Sequence, residues 1–193
     1  MSDEVIKYLK LLSNIIANLK GSCDLRLSYY DKILKLMAKE LHYALDNLKY
    51  GHYVDFMRNL KVILESAIIL TYYFTKYRHQ EEYLLKEVHR RSRAAITFNI
   101  KMISKIKGLH GIVKKEIVNT YLKISEYSHP TNGLSRIHEN SLKYLSEMYE
   151  LVNEVVDYVI YLFLLLCRVS VKEFEDVVIA LNLRRSSKYI RRH

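Results

Sequence analysis

Tyr121-Leu-Lys-Ile-Ser125-Glu-Tyr-Ser-His129-Pro130 contains the only proline of this 193-residue chain, and a long amphipathic pattern stops there. Proline disfavours the helical conformation of the residue before it, so the sequence predicts that a helix ends at or near His129. The pair Asn132-Gly133, which follows directly, is typical of a turn. We therefore expect an imidazole at the C-terminal end of a helix, just before a loop.

Apolar residues recur at helical spacing along nearly the whole chain, and no strand-like alternation persists. With 5 glycines and 1 proline, the chain is poorly suited to the many tight turns of a sheet protein. The pattern therefore predicts an all-α fold, an up-and-down bundle of about six to seven helices. The predicted helices run from Val5 to Leu19, Leu27 to Leu48, Val54 to about Arg78, Glu81 to Lys107, Ile112 to about Ser128, and Ser135 to Cys167 or Arg168.

A short last helix is predicted to begin at the capping box formed by Ser170 and Glu173 and to reach about Leu183. The bundle would then occupy residues 1–183 as a single domain, and residues 184–193 would form a basic tail. The second, third, fifth and sixth predicted helices have the strongest apolar stripes, so we expect them to form the core.

The net charge of +10 is concentrated in two segments. Eight Lys and Arg residues and no acid lie between Val88 and Lys115, and five more basic residues lie in the last ten. Localised positive charge is typical of proteins that bind polyanions, although a solvated face with a floppy tail has the same composition. We predict RNA or another nucleic acid as a partner, bound by Arg90, Arg91, Arg93, Lys101 and Lys105 along the fourth helix and by Arg184, Arg185, Lys188, Arg191 and Arg192 in the tail.

Other features of the sequence favour a cytoplasmic protein that does not bind a membrane. The chain begins with acidic and amphipathic residues instead of a secretory signal. Its longest apolar run, from Tyr158 to Cys167, is too short to span a bilayer as a helix. Histidines and cysteines do not cluster at metal-ligand spacing, so we expect no metal and no cofactor. The Lys, Glu and Ile bias and the 17 tyrosines are typical of a thermophilic source.

Two polar spacings stand out within the apolar helices. Arg58 and Glu65 are seven residues apart, on one face of the third helix, and are predicted to form a polar pair within it or with a neighbouring helix. Ser125 and His129 are four residues apart and also share a face. The sequence offers no third orienting group, oxyanion hole or nucleophile elbow, so serine hydrolase chemistry is not predicted.

The pattern Arg58-x6-Glu65, followed by Tyr121-x3-Ser125-x3-His129-Pro130, resembles the HEPN superfamily and, within it, the uncharacterised abortive-infection-like branch. The resemblance covers about residues 25–168. It implies an all-helical bundle that is commonly dimeric and often belongs to a defence or toxin system. Many members of the superfamily are metal-independent ribonucleases whose signature is an arginine, four to six residues, and then a histidine.

This chain departs from that signature, because the window for the arginine before His129 contains only Lys123. The site is then degenerate, uses Lys123, or borrows Arg58 from the third helix. If the chain is active, His129 would act as base or acid on a ribose, and Arg58 or Lys123 would stabilise the phosphorane charge. The candidate catalytic residues are therefore His129, Arg58, Lys123, Ser125 and Glu65.

The resemblance predicts an RNA-binding protein, a ribonuclease if the site is active, and a homodimer that brings two His129 side chains to one groove. Two other functions remain open. One is a non-catalytic, nucleic-acid-binding helical subunit of a ribonucleoprotein. The other is an interaction scaffold whose basic face meets an acidic protein.

Overall fold

A computed structural model describes residues 2–22, 25, 27–77, 80–93, 98–129 and 141–167. These ranges are almost entirely helical and contain no strand, which confirms the prediction of an all-α bundle. Seven helices lie within them: α1 Ser2–Ser22, α2 Ser28–Lys49, α3 Tyr53–Tyr77, α4 Glu81–Arg93, α5 Lys101–Lys105, α6 Gly111–Tyr127 and α7 Ser141–Cys167.

Several predicted features lie outside the described residues. They are the turn at Asn132-Gly133, the start of the sixth predicted helix at Ser135, the helix from Ser170 to Leu183, and the tail with Arg184, Arg185, Lys188, Arg191 and Arg192. The side chains of Arg93 and Cys167 also lie outside the described set.

The turn between α2 and α3 follows directly after Lys49, close to the end at Leu48 that was predicted for the second helix. Gly51 has a φ of 73°, a left-handed conformation that residues with a Cβ rarely adopt. The His52 N–H donates to the Asn47 carbonyl at 2.8 Å and so closes the turn. The chain therefore reverses within a few residues, and α2 and α3 pack side by side in antiparallel directions.

The prediction of one continuous helix from Glu81 to Lys107 was wrong. Helix α4 ends at Arg93, residues 98 and 99 are not helical, and α5 is a separate short helix. The Asn99 side chain accepts the Lys101 N–H at 2.9 Å, a local bond that competes with helix continuation. The Phe98 ring packs against Tyr121 of α6, with ring centroids 5.0 Å apart. This tertiary contact fixes the chain in its non-helical path.

Helix α3 is the central element of the bundle and packs against α2, α4, α5, α6 and α7. Its middle, from Ile63 to Phe74, is mostly buried, as its apolar sequence predicts. The predicted core helices correspond to α2, α3, α6 and α7, and each contributes buried residues. Helix α1 also belongs to the core, because Val5, Leu9 and Leu12 are buried and α1 packs on α2 and α7.

Helix α4 is attached to the bundle through a polar group instead of a broad apolar face. The half-buried Arg91 donates to Glu87 at 2.8 Å and lies over the Tyr72 ring of α3, 5.5 Å from its centroid. Arg90 also donates to Glu87, and these hydrogen bonds hold the pKa of the Glu87 carboxyl at about 2. Arg91 is therefore a packing residue as well as a charge.

Helices α6 and α7 run antiparallel to each other. Thr120 of α6 donates to Glu154, and Tyr127, two turns further along α6, donates to Glu147, two turns earlier in α7. Within the part of the chain that the structure describes, no helix is long and apolar enough to cross a membrane.

Candidate functional site

A seam of polar residues lies where α3 packs against α6. The Tyr121 hydroxyl of α6 donates to a Glu65 carboxylate oxygen of α3 at 2.9 Å. The Lys61 ammonium, one turn before Glu65, lies 5.4 Å from the centroid of the Tyr121 ring. We define the α3–α6 seam as Arg58, Lys61 and Glu65 of α3 and Tyr121, Ser125 and His129 of α6.

Burial perturbs both partners of the central hydrogen bond. Desolvation raises the pKa of the Glu65 carboxyl, while the Tyr121 hydrogen bond and the Lys61 charge lower it by less. Burial, followed by the hydrogen bond to Glu65, raises the pKa of Tyr121 to about 12. Tyr121 therefore stays protonated near neutral pH and acts as the donor, with Glu65 as the acceptor.

Arg58 and Glu65 do not pair with each other, and the other predicted arrangement, a partner on a neighbouring helix, is the one that Glu65 has. Arg58 donates instead to Asp55, one turn earlier, at 2.6 Å, and its side chain is 53% exposed. Arg58 and Glu65 are seven residues apart, which is about 10.5 Å along the helix axis. Arg58 and Asp55 are only three residues apart, which is about 4.5 Å along the same axis. Glu65 has its partner on α6, so the seam leaves Arg58 at its solvent edge.

The end of α6 confirms the prediction that a helix stops near His129. Helix α6 ends at Tyr127, and His129 is exposed, with its backbone N–H donating to the Glu126 carbonyl at 3.3 Å. Ser125 is half-buried, and its hydroxyl donates to the Tyr121 carbonyl at 2.9 Å. The serine proton is thus directed to the helix backbone and not toward the imidazole.

The ends of α3 and α6 show that Arg58 and His129 lie at one end of the bundle. Tyr144 of α7 packs against both Tyr53 and Tyr127, with ring centroids 6.4 Å and 5.3 Å apart, so the start of α3 is near the end of α6. Measured along the helices from the Glu65–Tyr121 bond, Arg58 is displaced by about 10.5 Å and Tyr127, the last residue of α6, by about 9 Å in the same direction. Arg58 and the end of α6, which His129 follows, therefore lie at similar levels in the bundle.

Lys123 lies on the other flank of α6. At about 100° per residue, Tyr121 and Ser125 lie about 40° apart around α6, whereas Lys123 is about 160° from both. Lys123 instead lines a cavity of about 360 Å³ between α6 and α7. The charged residues that share this cavity are all acidic: Glu126, Glu147, Glu150 and Glu154.

This placement distinguishes the two candidate cations, Lys123 and Arg58. Carboxylates repel phosphate, so the cavity beside Lys123 is a poor place for an anion. Arg58 is exposed on α3, the helix that faces the Tyr121 flank of α6. The structure therefore joins Glu65 to the flank of α6 that carries Tyr121 and Ser125, leaves Arg58 and His129 exposed at the same end of the bundle, and places Lys123 on the other flank.

The basic segment is divided between two regions. Arg90 and Arg91 share Glu87 on α4, whereas Lys101 and Lys105 are exposed on α5. Lys107 and Lys115 are exposed nearby, and Lys114 donates to the Ser104 carbonyl at 2.7 Å, which ties α6 to α5. We define the α5–α6 lysine patch as Lys101, Lys105, Lys107, Lys114 and Lys115.

The sequence interpretation missed two residues of the seam, Lys61 and Tyr121, as site residues. Lys61 is four residues before Glu65, and Tyr121 is four residues before Ser125, so helical spacing could have indicated both.

Among the described residues, no three His, Cys, Asp or Glu side chains are arranged to hold a metal ion. Comparison with protein-family models, curated proteins and solved structures finds no match for this chain.

Replacing Tyr121 with Phe removes the hydrogen bond to Glu65 and leaves a half-buried carboxylate without this donor. We expect the free energy of unfolding at pH 7 to fall by about 1–2 kcal/mol. Because the pKa of Glu65 is raised in the folded state, its ionised carboxylate lowers the free energy of unfolding at pH values above that pKa. This loss of stability disappears below pH 4.5, the ordinary pKa of a glutamate, where Glu65 is protonated in both states. The loss should therefore shrink between pH 7 and pH 4, as measured by urea denaturation.

The control for this experiment is the same substitution in a Glu65→Gln background. The neutral amide does not titrate, so Tyr121→Phe should there have the same cost at both pH values. A pH-independent cost in the Glu65 background would contradict the assignment of Glu65 as the acceptor.

Proposed function

We propose that this protein binds RNA through the α5–α6 lysine patch. The observation that carries the proposal is the absence of any acid between Val88 and Lys115, in a segment whose described part exposes four lysines. Because each phosphate contact releases counterions, several lysines on one surface favour a polyphosphate over a single small anion. The resemblance to the HEPN superfamily remains a prediction and favours RNA over DNA.

The lysine patch and the seam are connected through α6. Lys115 lies near the beginning of α6 and Tyr127 is its last residue, a separation of about 18 Å along the helix, and His129 follows two residues later. An RNA strand held by the patch and following α6 would pass Tyr121 and Lys61 before it reaches Arg58 and His129. The protein would thus have a binding region at one end of α6 and a candidate reactive region at the other.

RNA cleavage without a metal is a second candidate function, favoured by the exposure of Arg58 and His129 at one end of the α3–α6 pair. A base would take the proton of a ribose 2′-hydroxyl, whose oxygen attacks the adjacent phosphorus. The bond to the 5′-oxygen then breaks, and this oxygen takes up a proton, which leaves a 2′,3′-cyclic phosphate. His129 would be the base or the acid, and Arg58 would stabilise the phosphorane charge.

Acid and base are two roles, and each chain offers one histidine at the end of α6. In a homodimer that brings two copies of His129 to one groove, one imidazole could serve as base and the other as acid. Such a protein fits a cytoplasmic defence or toxin system. A chain that binds RNA without cutting it fits a subunit of a ribonucleoprotein.

RNA binding should weaken steeply with salt, and the α5–α6 lysine patch should account for much of this dependence. For the triple variant Lys101→Ala, Lys105→Ala, Lys107→Ala, the slope of log K against log salt concentration should become shallower by about 2 on single-stranded RNA. Fluorescence anisotropy with a labelled oligonucleotide measures this slope. The matched control, Lys7→Ala with Lys10→Ala on the exposed face of α1, should leave the slope nearly unchanged. Absent or salt-independent binding by the wild type would refute the proposal and leave a protein-interaction scaffold.

Cleavage should persist in EDTA and disappear in His129→Ala. Arg58→Ala should reduce the rate by about a hundredfold, because the variant lacks the charge that stabilises the phosphorane. Lys123→Ala is the control, and it should keep nearly the full rate because Lys123 faces the acidic cavity. A gel assay with end-labelled RNA follows the product. RNA that stays intact with the wild type would restrict the function to binding.

A further inference from the structure

The outer surface of α2 carries exposed aromatic residues that do not pack in the core. Tyr43 is 43% exposed and Tyr50 is 66% exposed. The Lys39 ammonium lies 5.4 Å from the centroid of the Tyr43 ring, and the Lys49 ammonium lies 5.4 Å from that of Tyr50. The same combination of an exposed ring and a lysine thus occurs twice on one helix.

These residues belong to a continuous ridge. Six exposed residues of α2 and its C-terminal end lie on one side of the helix, within about 80° around its axis at about 100° per residue. Together they form a ridge about 27 Å long. Tyr43 and Tyr50 are seven residues apart, which places them about 10.5 Å apart on this ridge. We define the α2 ridge as Lys32, Leu36, Lys39, Tyr43, Asp46 and Tyr50.

The ridge carries more positive than negative charge, and its one acid lies between the two rings. Lys32 and Lys39 lie on the ridge and Lys49 lies beside it, whereas Asp46 is its one acid and is 3.6 Å from the His42 imidazole. A single exposed tyrosine is common on protein surfaces and requires no explanation. Two rings in line, each with a cation beside it, match the combination that holds unpaired nucleotides, in which bases stack on rings and phosphates meet cations.

We infer that the α2 ridge is a base-stacking site for single-stranded RNA, with Tyr43 and Tyr50 as the stacking rings and Lys39 and Lys49 as the phosphate contacts. This inference rests on the proposed RNA binding and adds a site to it. Bases inside a duplex are stacked on each other and cannot lie on a protein ring. The ridge would therefore select unpaired RNA, whereas the α5–α6 lysine patch would attract any phosphate backbone.

The position of the ridge connects it with the α3–α6 seam. The ridge ends at Tyr50, in the turn that leads directly into Tyr53 at the start of α3. Tyr53 packs on Tyr144, which packs on Tyr127, two residues before His129. RNA on the ridge would therefore approach the end of the bundle that carries the candidate reactive residues.

A tryptophan reporter tests the inference directly, because the native chain has no tryptophan. Tyr50→Trp introduces one indole on the ridge, and stacking of a base should quench its fluorescence. The control is Tyr83→Trp on α4, where the native ring is also exposed and also lies near a lysine, Lys86, but is off the ridge. The probes are an unstructured oligouridylate and a blunt RNA duplex of equal length. We expect oligouridylate to quench the fluorescence of the Trp at position 50 and to leave that of the Trp at position 83 unchanged. The duplex should quench neither.

Affinity measurements on leucine variants give an independent result. Tyr43→Leu and Tyr50→Leu keep an apolar side chain but lose the ring, so each should weaken oligouridylate binding at least about fivefold. Tyr43→Phe and Tyr50→Phe keep the ring, so their affinity for oligouridylate should stay within about twofold of the wild type. All four variants should bind the duplex within about twofold of the wild type. Because both positions are exposed, these changes should leave the unfolding midpoint nearly constant.

Three other outcomes would overturn the inference. If the leucine variants bind oligouridylate as the wild type does, while the lysine-patch variant is weakened, RNA binding stands and the ridge is not its site. If the wild type binds neither probe, the inference and the proposed RNA binding both fail. If the leucine variants split a dimer in sedimentation equilibrium and keep their RNA affinity, the ridge is a contact between copies of the chain.

Discussion

The hydrogen bond from Tyr121 to Glu65 fixes how α6 lies on α3, and the candidate site depends on that placement. A half-buried carboxylate needs a donor, because burial without one is costly. Tyr121 supplies this donor, and its own pKa of about 12 keeps the proton on the phenol over the physiological range. The bond therefore ties one point of α6 to one point of α3, and the two helices keep the register that this contact requires.

The two flanks of α6 differ in their charged residues. The flank toward α3 carries Lys61 beside Glu65 and, further along, the exposed Arg58 paired with Asp55. The flank toward α7 carries the four carboxylates around Lys123. Under the proposed RNA binding, a phosphate backbone would meet fewer carboxylates on the first flank than on the second.

Periodicity predicted most of the helices, because burial of one face is what holds each of them in the bundle. It failed at residues 98 and 99, which are not helical although isoleucines at helical spacing flank them. There the Asn99 side chain accepts the Lys101 N–H and the Phe98 ring packs on Tyr121, a residue more than twenty positions away. Helix α1 was also left out of the predicted core. Its burial comes from packing on α2 and on α7, and α7 is distant from it in sequence.

The candidate site was predictable in its residue types but not in its pairings. Spacing placed Arg58 and Glu65 correctly on one face, yet their partners are Asp55 and Tyr121. Which flank of α6 faces α3 depends on packing between helices distant in sequence. Spacing alone therefore could not show that Lys123 faces α7 and not α3.

The distance from Arg58 to His129 tests most directly whether α3 and α6 present one common surface. Pulsed electron–electron double resonance measures this distance between spin labels at positions 58 and 129. Both native cysteines are first replaced by alanine so that only these two positions are labelled. The reference is the pair of labels at positions 58 and 123, because Lys123 lies on the opposite flank of α6. We expect the 58–129 distance to be clearly the shorter of the two. A 58–129 distance equal to or longer than the 58–123 distance would contradict a shared Arg58–His129 surface.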